Sequence, residues 1–313
     1  MKKIIGVFGL VTILGLLFAG SFLGALHKPA PHNVPVAVVG PAEQIAGVLS
    51  QKAPGAFDIQ AYSTEQAARD ALADRDVDAV LLPEQGKLVV ASAGGRTAAT
   101  VVTTVFQKAN PQLKVEDAIP LPEGDAGGIS GMFYVLALVI PGIAMALLLA
   151  AVAPTLTGAA KVGTLAAGSL VVGAALAWLG DVVFDVLPGA YLGLTTISAA
   201  VTLTIALVAA GLLRVVGTPG VGLAALLFIP IGLPASGGPL GARFIPEWYA
   251  AVGQVLPIGQ GAEAIKNVVY FGGAALALPL TVLGGWALLG LILTLVPRRG
   301  RQEAPAQEPV LVA

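Results

Sequence analysis

The sequence contains no cysteine, only two histidines and few charged residues. Without cysteine the chain forms no disulfide, no thiolate metal site and no thiol nucleophile. Charged residues make up 11% of the 313 positions and give a net charge of −1, whereas soluble domains carry about 25%. No basic surface therefore indicates nucleic-acid binding. Hydrophobic residues account for 56% of the chain and the mean hydropathy is +0.87, which predicts a polytopic α-helical membrane protein.

Six apolar runs predict six transmembrane helices. The first, residues 4–26, follows Lys2 and Lys3 and exceeds the apolar core of about 7–15 residues in a signal peptide, so it favours an uncleaved anchor (domain 1–26). The other five lie within a membrane domain at 131–297, at residues 132–152, 162–179, 190–213, 221–233 and 276–296. The fifth run is short, so it either extends into the Pro/Gly-rich sequence that follows or forms a half-helix.

Residues 27–130 form a polar insert between the first two predicted spans. Strand patterns at 34–39, 57–62, 77–82, 87–91 and 113–119 alternate with helix patterns at 41–53, 65–75 and 96–109. This alternation predicts a small α/β domain with a mixed sheet. The insert holds 8 Lys and Arg against 12 Asp and Glu, so it is mildly acidic.

The positive charges predict the orientation in the membrane. With six spans, one side receives both chain ends and two of the connections, and cytoplasmic segments are usually richer in Lys and Arg. The basic residues of that side are Lys2, Lys3, Lys161, Arg214, Arg298, Arg299 and Arg301. The sequence therefore predicts a plasma-membrane protein with both termini in the cytoplasm and an extracytoplasmic α/β domain. Residues 298–313 are polar and predict a disordered cytoplasmic tail.

The Pro/Gly-rich stretch at 228–273 leaves two interpretations open. It could be a broken segment that lines a lumen or gate, because non-helical backbone at membrane depth needs protein or water around it. It could equally be an outer loop with an amphipathic helix on the membrane surface. The candidate pathway or gate residues are Arg243, Glu247, Trp248, Glu263 and Lys266. Glu263 and Lys266, at i and i+3, could also be a surface pair.

Two further acids and four aromatic residues have alternative interpretations. Asp181 and Asp185 are spaced i, i+4, so they form either a solvated outer turn or, if they point inward, a cation site or gate. The aromatic residues suit the membrane interface better than ligand stacking; they are Trp248, Tyr249, Tyr270 and Phe271.

Nothing in the sequence predicts a catalytic or metal site. His27 and His32 lie in a Pro-rich tether, which argues against a metal pair. No nucleophile constellation, no nucleotide-binding motif and no cofactor motif is present. We therefore expect neither an enzyme nor a cofactor.

Three segments carry a resemblance to a known family. They are LHKPAPHNVPVAVVGP at 26–41, DALADRDVDAVLLP at 70–83 and LPASGGPLGARFIPEWYAAVGQVLPIGQGAEAIKNVVYFGG at 233–273. With the order of the spans, they resemble ABC-2-type exporter permeases with an extracytoplasmic domain after the first helix. The chain looks closest to the YhgE/Pip-like (phage infection protein-like) family of actinobacterial membrane proteins.

The resemblance implies a half-transporter, in which two copies form a path and a separate ATPase subunit drives export. The ATPase of such permeases docks on a helix before the first span and on the connection between the second and third. Here three residues precede the first run, and residues 154–161 carry a single charge. The candidate ATPase-facing residues are Pro154, Thr155, Thr157 and Lys161.

Two functions are compatible with these features. The first is a permease subunit, as a homodimer, that exports an amphipathic or lipidic solute with a separate ATPase. The second is a non-transporting receptor or envelope-assembly scaffold that acts through its extracytoplasmic domain. The small cytoplasmic surface favours the second, whereas the broken outer segment favours the first.

Overall fold

The computed structural model describes residues 2–296 and confirms six helices long and apolar enough to cross a membrane. Helix α1 spans Lys2–Leu26, and the six candidate spans are Ile4–Leu26, Ser130–Val152 (α5), Gly158–Val183, Tyr191–Val216 (α7), Thr218–Ala235 and Ala277–Leu295 (α12). The tail predicted as disordered, 298–313, lies outside the described residues.

Two of the spans are longer than their uninterrupted α-helices. Helix α6, Gly158–Ala177, continues as a π-helical turn at Trp178–Val183. Helix α8, Thr218–Leu226, continues through a π-helical turn at Leu227–Gly232 into the short α9, Leu233–Ala235. The fifth run thus extends into the Pro/Gly-rich sequence, which was one of the two predicted alternatives.

Helix α7 is the centre of the bundle and packs against α5, α6 and α12. Glycines allow the backbones to approach closely at these contacts, as small residues commonly do between membrane helices. A Cβ on Gly173 of α6 would lie 2.7 Å from the Ala199 nitrogen, and one on Gly290 of α12 would lie 2.5 Å from the Val208 nitrogen. The bundle is therefore held by close helix contacts rather than by buried charges.

Between α1 and α5 the chain folds into a three-layer α/β unit. Its strands are β1 Val34–Val39, β2 Phe57–Tyr62, β3 Ala79–Leu82, β4 Lys87–Val90 and β5 Lys114–Asp117. They form one sheet in the order β2-β1-β3-β4-β5, in which only the β3–β4 pair is antiparallel. The predicted mixed sheet and its five strand positions are confirmed.

Helices cover both faces of this sheet. They are α2 Ala42–Lys52, α3 Glu65–Ala73 and α4 Arg96–Ala109. Helices α2 and α4 share one hydrophobic cluster with the sheet, and α3 packs on the opposite face. Thr64 caps the start of helix α3, because its hydroxyl accepts a hydrogen bond from the Ala67 amide at 3.2 Å.

Two phenylalanines from the membrane half complete the core of the α/β unit. Phe244 packs into the cluster under α2 and α4, and Phe271 packs into the cluster under α3. Both are nearly buried, at 2% and 8% exposure. One aromatic ring thus enters each side of the sheet, so the α/β unit is fixed to the bundle at two points.

Residues Phe244 and Phe271 flank a helical hairpin made of α10, Glu247–Val255, and α11, Pro257–Tyr270. Its tip contacts α12, because the Trp286 indole nitrogen donates to the Val255 carbonyl at 2.7 Å, while the Val255 side chain itself is 61% exposed. Trp286 lies in the middle of α12, a candidate span. We call α10 and α11 the re-entrant hairpin. The segment therefore packs against the spans as a helical hairpin, with Ile258 and Ile265 of α11 in the bundle core.

Side-chain contacts hold α10 against its neighbours. The Tyr249 hydroxyl hydrogen-bonds to the Ser21 hydroxyl of α1 and donates to the Ile231 carbonyl at 3.1 Å. At Gly253 an added Cβ would lie 1.9 Å from the Ala235 carbonyl oxygen. These contacts connect the hairpin to α1 and to the end of the fifth span.

Candidate functional site

A cavity of about 520 Å³ lies where the α/β unit meets the re-entrant hairpin, and we call it the vestibule. The charged and amide side chains that line it are those of Asn33, Arg75, Asp78, Arg243, Glu247, Gln254, Gln260, Glu263, Lys266 and Asn267, together with the imidazole of His32. Both halves of the protein contribute to its wall, so it exists only because the α/β unit is fixed on the bundle.

A charged triad forms one side of the vestibule. The Arg75 Nη2 donates to Glu263 Oε2 at 2.8 Å, and Lys266 Nζ donates to Glu263 Oε1 at 2.9 Å. The Arg75 guanidinium also lies 4.8 Å from the centre of the Phe271 ring, within cation–π distance. Two cations share one carboxylate, so the triad keeps a surplus positive charge.

A second ion pair crosses between the two halves. Arg243 Nε lies 3.3 Å from Asp78 Oδ2, and Arg243 Nη1 donates to the Asn33 carbonyl at 2.7 Å. Burial raises the pKa of the Asp78 carboxyl, while the charges of Arg243 and Arg75 oppose this rise. This side of the vestibule therefore holds a poorly solvated acid.

Local sequence explains how these groups converge. In α11 the residues Glu263, Lys266 and Asn267 are spaced i, i+3 and i+4, so they share one helix face, while Ile258 and Ile265 are buried in the bundle core. Arg75 follows α3 with a positive φ of 69°, an uncommon conformation for a non-glycine residue. That turn directs the chain from α3 towards β3, beside which Asp78 lies.

The floor of the vestibule is polar although it lies deep in the bundle. The Gln260 Nε2 donates to both the Gln254 carbonyl and the Gln254 Oε1, each at 3.0 Å. Gln260 is only 2% exposed and stands one turn from the hairpin tip. The vestibule therefore has a charged rim, a pair of hydrogen-bonded amides near the hairpin tip, and Leu278 and Pro279 at the start of α12 in its wall.

Two buried acceptors at the vestibule lack hydrogen-bond partners in the described part of the chain. Asn267 is 2% exposed; its Nδ2 donates to the Ala275 carbonyl at 3.2 Å, but its Oδ1 accepts nothing. Asp78 Oδ2 likewise has no hydrogen bond, despite the nearby Arg243. An unsatisfied buried polar group costs about 1–3 kcal/mol, so both atoms favour a ligand that donates hydrogen bonds.

The structure brings together four of the five pathway candidates from the hairpin region: Arg243, Glu247, Glu263 and Lys266 all line the vestibule. Trp248 does not, since it is 71% exposed and stacks at 5.0 Å on Tyr249.

The acidic pair lies elsewhere and forms the solvated turn. Asp181 accepts a hydrogen bond from the Gly189 amide at 2.7 Å, and Asp185 is exposed with a positive φ of 51°. Neither lines the vestibule. The pair therefore lies apart from the other pathway candidates.

Sequence reasoning missed the contribution of the α/β unit to the site. Arg75 ends the predicted helix at 65–75 and Asp78 lies in the predicted strand at 77–82, so neither was a candidate, and Asn267 reads as one more polar residue of α11. The interfacial interpretation of Phe271 is wrong, because its ring is buried in the core of the α/β unit. An available signal was the spacing of Glu263, Lys266 and Asn267 at i, i+3 and i+4, which places three polar side chains on one face of α11.

The candidate ATPase-facing residues lie at the opposite end of the bundle from the α/β unit. Pro154 and Thr155 are exposed in the short connection between α5 and α6. Thr157 caps α6, because its hydroxyl accepts from the Ala160 amide at 3.2 Å. Lys161 lines a cavity of about 40 Å³ together with Arg214 and Thr294. This end therefore offers a small and basic surface.

The chemistry available at the vestibule is binding by charge and hydrogen bonds. Within residues 2–296, no group of three or more His, Cys, Asp or Glu side chains is arranged to hold a metal ion. Searches of protein-family models, curated proteins and solved structures find no match to this chain.

Proposed function

We propose that this multi-pass membrane protein is an ABC-2-like permease subunit of the plasma membrane that exports an amphipathic or lipidic solute. It acts as a homodimer with a separate ATPase, as the resemblance of the sequence implies. In this proposal the α/β unit is extracytoplasmic and both termini are cytoplasmic. The single observation that carries the proposal is the vestibule, a polar cavity that extends into the level of the membrane spans.

The depth of the vestibule supports a transport path. Pro279 near the start of α12 and Gln254 near the hairpin tip both line it. The tip bonds to Trp286, seven residues beyond Pro279, which at 1.5 Å per residue is about 10 Å along the span. A scaffold that binds partners through its outer domain needs no polar cavity at this depth, whereas a permease does.

The distribution of ionisable residues supports an external energy source. Within the described spans, the only Asp, Glu, Lys or Arg residues are Lys161, Asp181 and Arg214, all near helix ends. Ion-coupled transporters generally use buried ionisable groups near the membrane centre. A permease that lacks such groups therefore needs a separate ATPase subunit to drive transport.

The scaffold alternative is favoured by one observation. Only five residues, 153–157, separate α5 from α6 at the end where an ATPase would dock. A motor subunit needs a firm contact to transmit force, and this connection is short. The experiment that separates the two functions therefore changes this end of the protein.

We expect the combined substitutions P154G, T155G and K161Q to abolish ATPase association, because they alter the exposed docking surface but retain the Thr157 cap. The tagged full chain is purified from membranes of its own organism, and Mg-dependent ATP hydrolysis in the purified fraction is measured. Hydrolysis should fall at least tenfold in the variant. The control substitution K108Q, on the exposed end of α4, should retain it. Absence of hydrolysis with the unchanged chain, or its full retention in the variant, refutes the ATP-driven permease.

The proposed orientation gives a second prediction. Because the chain has no cysteine, single cysteines can be labelled without background. Thr100 on α4 and Thr155 in the α5–α6 connection are both exposed. T100C should react with a membrane-impermeant maleimide in intact cells, whereas T155C should react only after permeabilisation. The reverse pattern would overturn the orientation and with it the direction of transport.

A further inference from the structure

Building on the proposed function, we infer that the vestibule binds the headgroup of an amphiphile that carries both a phosphate group and N–H or O–H donors. The inference narrows the proposed solute from amphiphiles in general to amphiphiles with this headgroup chemistry. It rests on the unequal charge of the triad, on two buried oxygens that accept no hydrogen bond and on the apolar part of the vestibule wall.

The phosphate is matched by the charged triad. Lys266 has three N–H donors and uses one on Glu263. Arg75 uses Nη2 on Glu263 and Nη1 on the Gly94 carbonyl at 3.3 Å. One carboxylate neutralises only one of these two cations, so the triad can bind one further anion. Arginine and lysine are the usual partners of phosphate oxygens in proteins.

The donors are matched by Asn267 and Asp78. The hydrogen bond from Asn267 Nδ2 to the Ala275 carbonyl fixes the amide, because a flipped amide would place two oxygens against each other. Its Oδ1 is therefore a fixed acceptor without a partner. Asp78 Oδ2 likewise accepts no hydrogen bond, although it is ion-paired with Arg243 Nε at 3.3 Å. A hydroxyl or ammonium group close to the phosphate would satisfy these atoms, whereas a quaternary ammonium group cannot.

The apolar side chains of the vestibule wall can contact the acyl chains. Leu240, Ala250, Leu278 and Pro279 line the vestibule beside the charged groups. Leu278 is 54% exposed at the start of a candidate span, so the apolar wall continues to the lipid-facing surface of the bundle. A bound molecule can therefore place its headgroup at the triad and its chains among the helices. This favours a phospholipid-like molecule over a free headgroup.

The test uses purified full-length protein in maltoside detergent and isothermal titration calorimetry. The probes are dihexanoyl phosphatidylglycerol, phosphatidylethanolamine and phosphatidylcholine, plus glycerol 1-phosphate. The three lipids share the phosphate and the chains, but phosphatidylcholine lacks headgroup donors. We expect phosphatidylglycerol and phosphatidylethanolamine to bind at least tenfold more tightly than phosphatidylcholine. Phosphatidylcholine cannot donate the hydrogen bond, and the loss of one buried hydrogen bond lowers affinity by about this factor. Glycerol 1-phosphate, without chains, should bind at least tenfold more weakly than phosphatidylglycerol.

Two variants assign the two parts of the headgroup. K266Q should lower the affinity for all three lipids by about tenfold, because it removes the surplus positive charge of the triad. N267L should reduce the preference for phosphatidylglycerol over phosphatidylcholine to less than threefold. A ratio of affinities on one protein sample is insensitive to a partial loss of folded material. K114Q, on the edge strand β5 away from the vestibule, should leave every affinity unchanged.

Each part of the inference has its own refuting result. Equal affinity of the unchanged protein for phosphatidylglycerol and phosphatidylcholine removes the donor requirement. Unchanged affinities in K266Q would show that the triad does not bind the phosphate. Equal affinity for glycerol 1-phosphate and phosphatidylglycerol would show that the site does not bind the acyl chains. These measurements use the isolated chain, so lipid binding without ATPase association would refute the permease while retaining the site.

Discussion

Replacement of Phe271 by alanine is expected to destabilise the protein by about 3–5 kcal/mol, the usual cost of truncating a buried aromatic residue. The ring is 8% exposed and completes the hydrophobic cluster under α3. It also lies 4.8 Å from the guanidinium of Arg75, so its loss removes one of the contacts that hold the charged triad. Thermal unfolding in detergent and amide hydrogen exchange of α3 and β3 measure the effect.

Exposed aromatic residues of the same region should behave differently from Phe271. W248A is the matched control, because Trp248 is 71% exposed and its truncation leaves no buried cavity. We expect its unfolding temperature to change little and its hydrogen exchange in α3 to match that of the unchanged protein. If F271A and W248A had equal effects, Phe271 would not be an anchor of the α/β unit.

Substitution of Gly253 by valine is expected to cost about 3 kcal/mol, at the upper end of the usual range for overpacking. The first added carbon would lie 1.9 Å from the Ala235 carbonyl oxygen and 2.5 Å from its carbon. Relief requires α10 to move away from the end of the fifth span, which separates the hairpin from the bundle. Lipid binding at the vestibule should fall with stability, because Gln254 and Gln260 line its floor.

The control for this substitution lies two residues earlier in the same helix. Ala251 is exposed on α10, so A251V places the same side chain on the same helix without a clash, and it lowers helix propensity where G253V raises it. Thermal unfolding of both variants decides the matter. Equal stability of G253V and A251V would mean that α10 does not pack in the bundle, and the re-entrant hairpin would be an outer loop after all.

Much of the fold could be predicted from local sequence patterns. Long uninterrupted apolar runs predict the spans. A short run of the same kind predicts strand β1, in which every residue from Val34 to Val38 is buried. The α/β alternation followed from the periodicity of the apolar residues. Each of these signals is contained in one short window of residues, so neighbouring side chains alone are enough to reveal it.

The site could be predicted only in part, because its two halves are far apart in sequence. Glu263 and Lys266 are neighbours on one helix, but their partner Arg75 is 188 residues from Glu263. Nothing in a local window indicates that Phe271 enters the core of a different unit. The depth of the hairpin was equally hidden, because it depends on one contact between Val255 and Trp286 rather than on composition.

The two phenylalanines give the hairpin a mechanical property. Phe244 precedes α10, Phe271 follows α11, and each ring is buried on a different face of the same sheet. A rotation of the sheet about its strand direction would raise one ring while it lowers the other. The two arms of the hairpin would then slide past one another, and the amides at its tip would shift along α12. Torque applied to the α/β unit by a ligand or a second protein would thereby change the shape of the vestibule.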